Sequence, residues 1–187
     1  MDSGVLYLVL GVLAFGVALA LLLSLAAVDA ARHLAAAGER LATPPRGEII
    51  PAVTARPLQG GARRELPGAG MPAVLVFLSS TCPKCREKLP ELANYLPHLD
   101  DAGLELWLVS REPRWRLRRF LRGSPLAAHT LRLDMRSYQA LNPTLSSPFY
   151  LFVDEEGRLQ TGGTIGDENW ETFRQQMQER RAEQEAA

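Results

Sequence analysis

Hydrophobic positions follow two patterns along this chain. The first is one unbroken apolar run, residues 5–28, mostly Leu, Val and Ala and without a charged side chain. As a helix it extends about 36 Å at roughly 1.5 Å per residue, enough to cross a bilayer with some tilt. The second pattern is a series of short apolar runs separated by amphipathic stretches. Residues 73–78 (A-V-L-V-F-L) are continuously apolar, as in a strand buried on both faces. Residues 82–96 predict a helix with Leu89, Leu92, Tyr95 and Leu96 along one face. A second strand is expected over 104–109, a second helix over 113–121, and a short strand over 132–134. Residues 149–153 (F-Y-L-F-V) make a third strong strand, closed by the acidic turn 154–157, after which 158–162 returns antiparallel. Asp167 is placed to cap a C-terminal helix whose Trp170, Phe173 and Met177 share a face. The order β-α-β-α-β-β-α predicts an α/β fold, a mixed sheet with helices on both faces.

Between these runs, residues 29–41 are Ala-rich and continue helically until Thr43-Pro44-Pro45 stops them. Residues 47–70 are rich in Pro and Gly, with Ile49-Ile50 and Val53 as apolar patches, and predict a small extended or hairpin region. The expected organisation is a transmembrane anchor over 5–28, a linker or helical extension over 29–46, a folded domain over 47–180 and a tail over 181–187. A cleavable signal peptide needs a basic start, whereas Met1, Asp2 and Ser3 carry no Lys or Arg, so the helix is expected to be retained. Arg32, Arg40 and Arg46 after it favour a cytoplasmic domain by the positive-inside rule. Against that, long domains translocate largely regardless of charge, and a redox cysteine pair beside a membrane suits the oxidising side.

Charge narrows the partners. Lys plus Arg and Asp plus Glu both number 21 in 187 residues, which is not the composition of a polybasic nucleic-acid binder, and no nucleic acid is expected as a partner. The two cysteines stand three positions apart, which excludes a disulfide-rich scaffold. They lie where the first buried strand hands over to a helix, in Thr81-Cys82-Pro83-Lys84-Cys85. Such a pair can close a small disulfide ring with the first cysteine exposed. Unpaired N–H groups at the helix start stabilise a thiolate at Cys82, and Lys84 adds a cation. Pro83 falls at the first helical position, where its missing N–H costs nothing. Zinc is the competing chemistry, but His33, His98 and His129 lack finger-like spacing, and no metal site is expected. A bridge this short constrains little chain entropy, which argues against a purely structural disulfide. The expected redox group is the Cys82–Cys85 disulfide itself, with no other cofactor.

Two further features have a bland and a functional reading. Ser147-Pro148 precedes the third strong strand, as a proline at a strand start or as a cis-proline loop beside the cysteines. Arg111, Arg114, Arg116, Arg118, Arg119 and Arg122 surround Trp115, with Leu117, Phe120 and Leu121 as the buried stripe of a helix. The arginines are then a solvated face, or a surface for anionic headgroups or an acidic partner.

The pattern V-F-L-S-S-T-C-P-K-C-R-E-K-L-P, followed later by S-S-P-F-Y-L-F-V-D-E-E-G, resembles the thioredoxin superfamily. Pro90, five residues after Cys85, matches the proline in that family's active-site helix, and Ser147-Pro148 matches its cis-proline. Gly47-Glu48-x-x-Pro51, with Leu58 and Gly60, is similar to the opening of the redoxin branch of membrane-anchored periplasmic proteins. The Arg-His-Leu…Glu-Arg-Leu stretch from Arg32 to Leu41 and F-L-S-x-T-C-P-x-C resemble the thioredoxin-like accessory proteins of methylamine dehydrogenase maturation.

The resemblance implies a thioredoxin-like domain over 47–180 behind one N-terminal transmembrane helix, single-pass in the inner membrane and facing the periplasm. It implies a thiol–disulfide oxidoreductase that forms, reduces or isomerises disulfides in cysteine-containing exported proteins, such as a periplasmic dehydrogenase, together with a membrane electron-transfer partner. Cys82 is the implied nucleophile and Cys85 the resolving cysteine; Pro83, Lys84, Ser147 and Pro148 line the substrate groove. One departure stands out. Val76 occupies the place, six residues before the first cysteine, where the thioredoxins it resembles carry a buried aspartate. Some redoxin relatives use a glutamate just after the second strand, which makes Glu112 a candidate proton acceptor, or simply a surface residue opening a helix before Pro113. The alternatives are a reductant for cytochrome c haem attachment, and a non-catalytic thioredoxin-like metal carrier or chaperone.

Overall fold

The computed structural model describes residues 3–42, 45–68 and 70–186. The chain divides into two compact units, Met1–Ala42 and Thr43–Ala187. The first unit is one helix, α1 (Ser3–Ala42). Within it Leu10–Asp29, 20 residues, is long and apolar enough to cross a membrane, and none of that stretch is buried. Leu13, Phe15, Leu22 and Leu25 all project outward, the surface of a helix suited to an apolar surrounding. The stop expected at Thr43-Pro44 lies outside the described residues.

In the second unit the strands are β1 (Val53–Pro57), β2 (Arg64–Leu66), β3 (Ala73–Phe77), β4 (Glu105–Ser110), β5 (Thr130–Arg132), β6 (Phe149–Val153) and β7 (Leu159–Thr164). The helices are α2 (Pro83–Asp101), α3 (Arg114–Phe120), α4 (Met135–Leu141) and α5 (Glu168–Ala186). The strands form one mixed sheet in the order β2-β1-β5-β4-β3-β6-β7. β3, β4 and β5 run parallel, whereas β6 is antiparallel to β3 and β7 antiparallel to β6.

The central strand shows why the sequence reads as it does. Side chains alternate across a strand. Val74 and Val76 of β3 enter one core with Leu92 and Leu99 of α2, Leu117 and Phe120 of α3, and Trp170 and Phe173 of α5. Ala73, Leu75 and Phe77 enter the opposite core with Ile50, Leu131, and Tyr138 and Leu141 of α4. Both faces are covered, so the run has no polar position.

Several boundaries differ from expectation. α2 continues past residue 96 through Pro97 to Asp101, because Leu99 on that last turn is buried against the sheet. The strand expected at 132–134 lies at Thr130–Arg132, set by parallel pairing of Leu108 with Thr130 and antiparallel pairing of Arg132 with Arg56. Asp134 instead caps α4, a helix not expected from the sequence, accepting the Ser137 amide at 2.8 Å. Residues 53–66 are the expected hairpin, β1 against β2. α5 begins as expected, with Asp167 Oδ1 accepting the Trp170 amide at 2.9 Å, and it runs through to Ala186.

The first residues of the domain pair with the beginning of β7 and the turn before it. Gly47 donates to the Leu159 carbonyl at 2.7 Å, Leu159 donates to Glu48 at 2.8 Å, and Ile50 donates to Gly157 at 3.0 Å. Ile49 and Arg158 form an antiparallel bridge there.

Candidate functional site

β3 delivers the chain to the carboxyl end of the sheet, where Leu78 still pairs with Val109 and Ser79-Ser80-Thr81 turn into α2. The Cys82 amide donates to the Ser79 carbonyl at 3.2 Å, and Cys82 O accepts the Arg86 amide at 3.3 Å, the first bond of the helix. Cys82 therefore occupies the cap position. Its Sγ accepts the backbone N–H of Cys85 at 3.3 Å. As a donor, the same thiol faces the Ser147 carbonyl at 3.5 Å. Pro83 and Lys84 are exposed beside it, while Cys85 is buried, and both cysteines are free thiols.

The two thiols differ chemically. Burial, then the hydrogen bond to Cys82, push the Cys85 thiol up to about 12; the Ser79 backbone opposes them, and the charges of Cys82 and Glu112 add smaller upward effects. Val76 lies in the same apolar cluster as Cys85, so this part of its surroundings is hydrocarbon with no carboxylate at that position. Cys82 is thus the accessible sulfur, and Cys85 the one that stays protonated until something draws the proton away.

Ser147 and Pro148 are brought to the pair, and the Ser147-Pro148 peptide is cis. The loop that presents them is built around Asn142, which is completely buried. Asn142 Oδ1 accepts the Ser146 amide and the Thr144 hydroxyl, both at 3.2 Å, and its Nδ2 donates to the Ser146 carbonyl at 2.8 Å. One amide group thereby fixes both ends of the turn that carries Ser147. Sequence reasoning missed this residue. Asn142-Pro143 signals a turn, but nothing in the sequence says that the amide is buried under it.

Glu112 is neither a bare surface residue nor in contact with the cysteines. It is half-buried just after β4, and its Oε1 accepts the Ser79 hydroxyl at 2.8 Å and the Ser80 amide at 2.9 Å. Its Oε2 accepts the Ser80 hydroxyl. Burial alone raises this carboxyl, but the bonds from Ser80 and Ser79, with Arg116 nearby, outweigh it and hold the group below its ordinary value. Glu112 is an anion that ties down the turn leading into Cys82. Ser79, Ser110, Arg111, Glu112, Tyr138 and Ser147 line a cleft of about 400 Å³ beside the pair.

The arginine-rich helix follows its expected stripe: Leu117, Phe120 and Leu121 are buried, and Trp115 is 63% exposed. Arg114 is not simply solvated, since it donates to the Leu58 and Gln59 carbonyls at 2.9 and 3.0 Å. Among the described residues no group of three or more His, Cys, Asp or Glu side chains is gathered to hold a metal ion.

Comparison with known proteins agrees with this architecture. The family model described as the AhpC/TSA family matches residues 47–162. The thioredoxin domain of a thiol-disulfide oxidoreductase from Bacteroides vulgatus superposes with TM-score 0.60 at 19% identity, covering 72% of this chain and 99% of that one. StoA from Bacillus subtilis gives TM-score 0.56 at 15% identity, covering 68% and 96%. A secreted Mycobacterium tuberculosis disulfide oxidoreductase, homologous to E. coli DsbE, gives 0.53 at 20% identity, covering 65% and 92%. At such identities the likeness shows a thioredoxin-like fold. No curated protein matches the chain.

Proposed function

The chain belongs to the AhpC/TSA family, and from that premise we propose that it is a membrane-anchored thiol–disulfide oxidoreductase acting on exported proteins from the periplasmic side of the inner membrane. One observation carries the reading: an accessible Cys82 sulfur at a helix cap, facing Ser147 O and accepting the N–H of a buried Cys85. This asymmetry suits a two-step exchange. The Cys82 thiolate attacks a substrate disulfide, forming a mixed disulfide and releasing one substrate thiolate. Cys85 then loses its proton and attacks Cys82 Sγ. The Cys82–Cys85 disulfide forms, the second substrate thiolate leaves, and two electrons have moved from the protein to the substrate. Run backwards, the same steps oxidise a dithiol. No other cofactor is needed.

Glu112 is proposed as the acceptor of the Cys85 proton, by way of the turn it holds; its charge already acts on that thiol. Ser147 and Pro148, with Pro83 and Lys84, are the surface against which a substrate strand lies. The apolar stretch of α1 supports the anchor, and the likeness of the domain to a secreted disulfide oxidoreductase supports the periplasmic side.

Trapping is the test. Cys85→Ala should accumulate mixed disulfides with natural partners on a non-reducing gel, Cys82→Ala few, and the double variant none. Equal trapping by both single variants overturns the assigned roles. The trapped partner decides the finer reading. A disulfide-rich subunit of an exported dehydrogenase supports a role in maturation, and a haem-attachment protein supports a reductant for cytochrome c.

A further inference from the structure

A second cleft opens on the same carboxyl-end edge of the parallel strands. It is about 260 Å³ in volume, and its lining includes Arg56, Arg63 and Arg132, with Thr54 and Asp134. Arg56 and Arg132 are directly paired across the antiparallel β1–β5 ladder. Like charges placed opposite each other on a sheet are destabilising, so the arrangement opposes folding unless something else is served. The ion pairs recorded among the described residues are Arg64–Glu105, Lys88–Glu91 and Arg174–Glu171, and they take up none of these three arginines. Asp134 is the cleft's carboxylate, and its Oδ1 is engaged as the cap of α4.

This cleft adjoins the cysteine site. Arg132 Nε donates to the Glu112 carbonyl at 3.0 Å, and Glu112 lines the cleft beside Cys82, together with Arg111 and Arg116. Five arginines therefore face this edge, against two carboxylates that already accept hydrogen bonds from the protein's own backbone. The whole chain is balanced at 21 positive and 21 negative side chains, so the excess is local. Guanidinium groups match carboxylates in geometry as well as in charge. A polypeptide lying across Cys82 and Ser147 would carry its flanking residues towards this cleft.

We propose that the Arg56–Arg63–Arg132 cleft receives an acidic segment flanking the reactive cysteine of the substrate protein, and so selects among disulfides of equal reactivity. The inference rests on the oxidoreductase reading above.

The test uses the reduced full-length protein in detergent and three disulfide peptides alike except for a flanking run of glutamate, glutamine or lysine. The glutamate peptide should exchange about tenfold faster than the glutamine peptide at low salt, the size expected of electrostatic steering, with the advantage shrinking as salt rises. Arg56→Gln with Arg63→Gln should abolish that preference while leaving exchange with the glutamine peptide unchanged. Arg56→Glu with Arg63→Glu should turn it towards the lysine peptide. Brisk exchange with all three peptides and no preference overturns the cleft and leaves the redox reading standing. No exchange with any peptide overturns the redox reading itself. If inorganic phosphate suppresses the preference far more than chloride at matched ionic strength, the cleft is a small-anion site and the proposal fails.

Discussion

Cys85 titrates far above an ordinary thiol, and the direction of that shift has a thermodynamic consequence. A raised folded-state value means that, between pH 9.0 and about 12, the unfolded chain releases a proton that the native thiol keeps. Stability contributed by the neutral thiol is complete below pH 9.0 and is lost progressively as pH rises through that window. Urea unfolding of the reduced protein should therefore weaken more steeply above pH 9.0 than unfolding of Cys85→Ala; parallel slopes would contradict the shift. Tyr95 and Tyr150 are raised too, by burial first and then by their carboxylate partners, and they weaken both proteins alike. For Glu112 two effects have opposite signs. As proton acceptor its loss slows resolution, whereas as a nearby anion its loss makes Cys85 easier to ionise. Glu112→Gln is expected to slow decay of a preformed mixed disulfide by about a hundredfold at neutral pH. A faster decay would leave the carboxylate as a charge and a tie only. Asn142→Ala strands the Ser146 amide and carbonyl, and should destabilise the domain by about 1–3 kcal/mol, measured as a lower urea midpoint.

Among the elements, α5 depends on one carboxylate shared between strand and helix. Asp167 Oδ1 accepts both the Tyr150 hydroxyl at 2.7 Å and the Trp170 amide at 2.9 Å. A methyl group on Gly163 would overlap Asp167 Oδ2. Asp167→Ala should cost about 1–2 kcal/mol, the usual loss of a helix cap. Gly163→Ala should also destabilise the native protein, but much less when Asp167 is already alanine, a non-additivity that a double-mutant cycle reads directly. How much was legible in the sequence varied from element to element. β3 and β6 announced themselves because strands buried on both faces are apolar throughout. The cysteine pair was legible from spacing, and Ser147-Pro148 from its match to a known pattern. α4 was not: a helix of seven residues that buries Tyr138 and Leu141 leaves too short a period to recognise. β5 was placed two residues late because its register comes from pairing with β4 and β1, not from its own three side chains. Ser79, Ser80 and Asn142 act through the paths of loops, which are settled only when distant segments meet.

For the whole molecule, the proposed topology sets which side of the membrane the folded domain faces, and one measurement reads it. A reporter active only outside the cytoplasm, fused after Ala187, should be active, and protease added to spheroplasts should remove the folded domain. Activity of a cytoplasm-only reporter would instead vindicate Arg32, Arg40 and Arg46 as topogenic charges. The segment from Gly47 to Ile50 has a bearing on the domain by itself. Because it hydrogen-bonds Leu159 and Gly157, the first residues of the fold are stitched to the start of its last strand. An unpaired strand edge is a template for association with another chain. A soluble fragment cut at Val53, where the first regular strand begins, would carry every element of the fold and still strip the backbone partners from Gly157 and Leu159 at the start of β7. It should run on a sizing column as dimers and larger species where a fragment begun at residue 45 stays monomeric. The start of this domain therefore lies at the residues that pair with β7, ahead of its first regular strand.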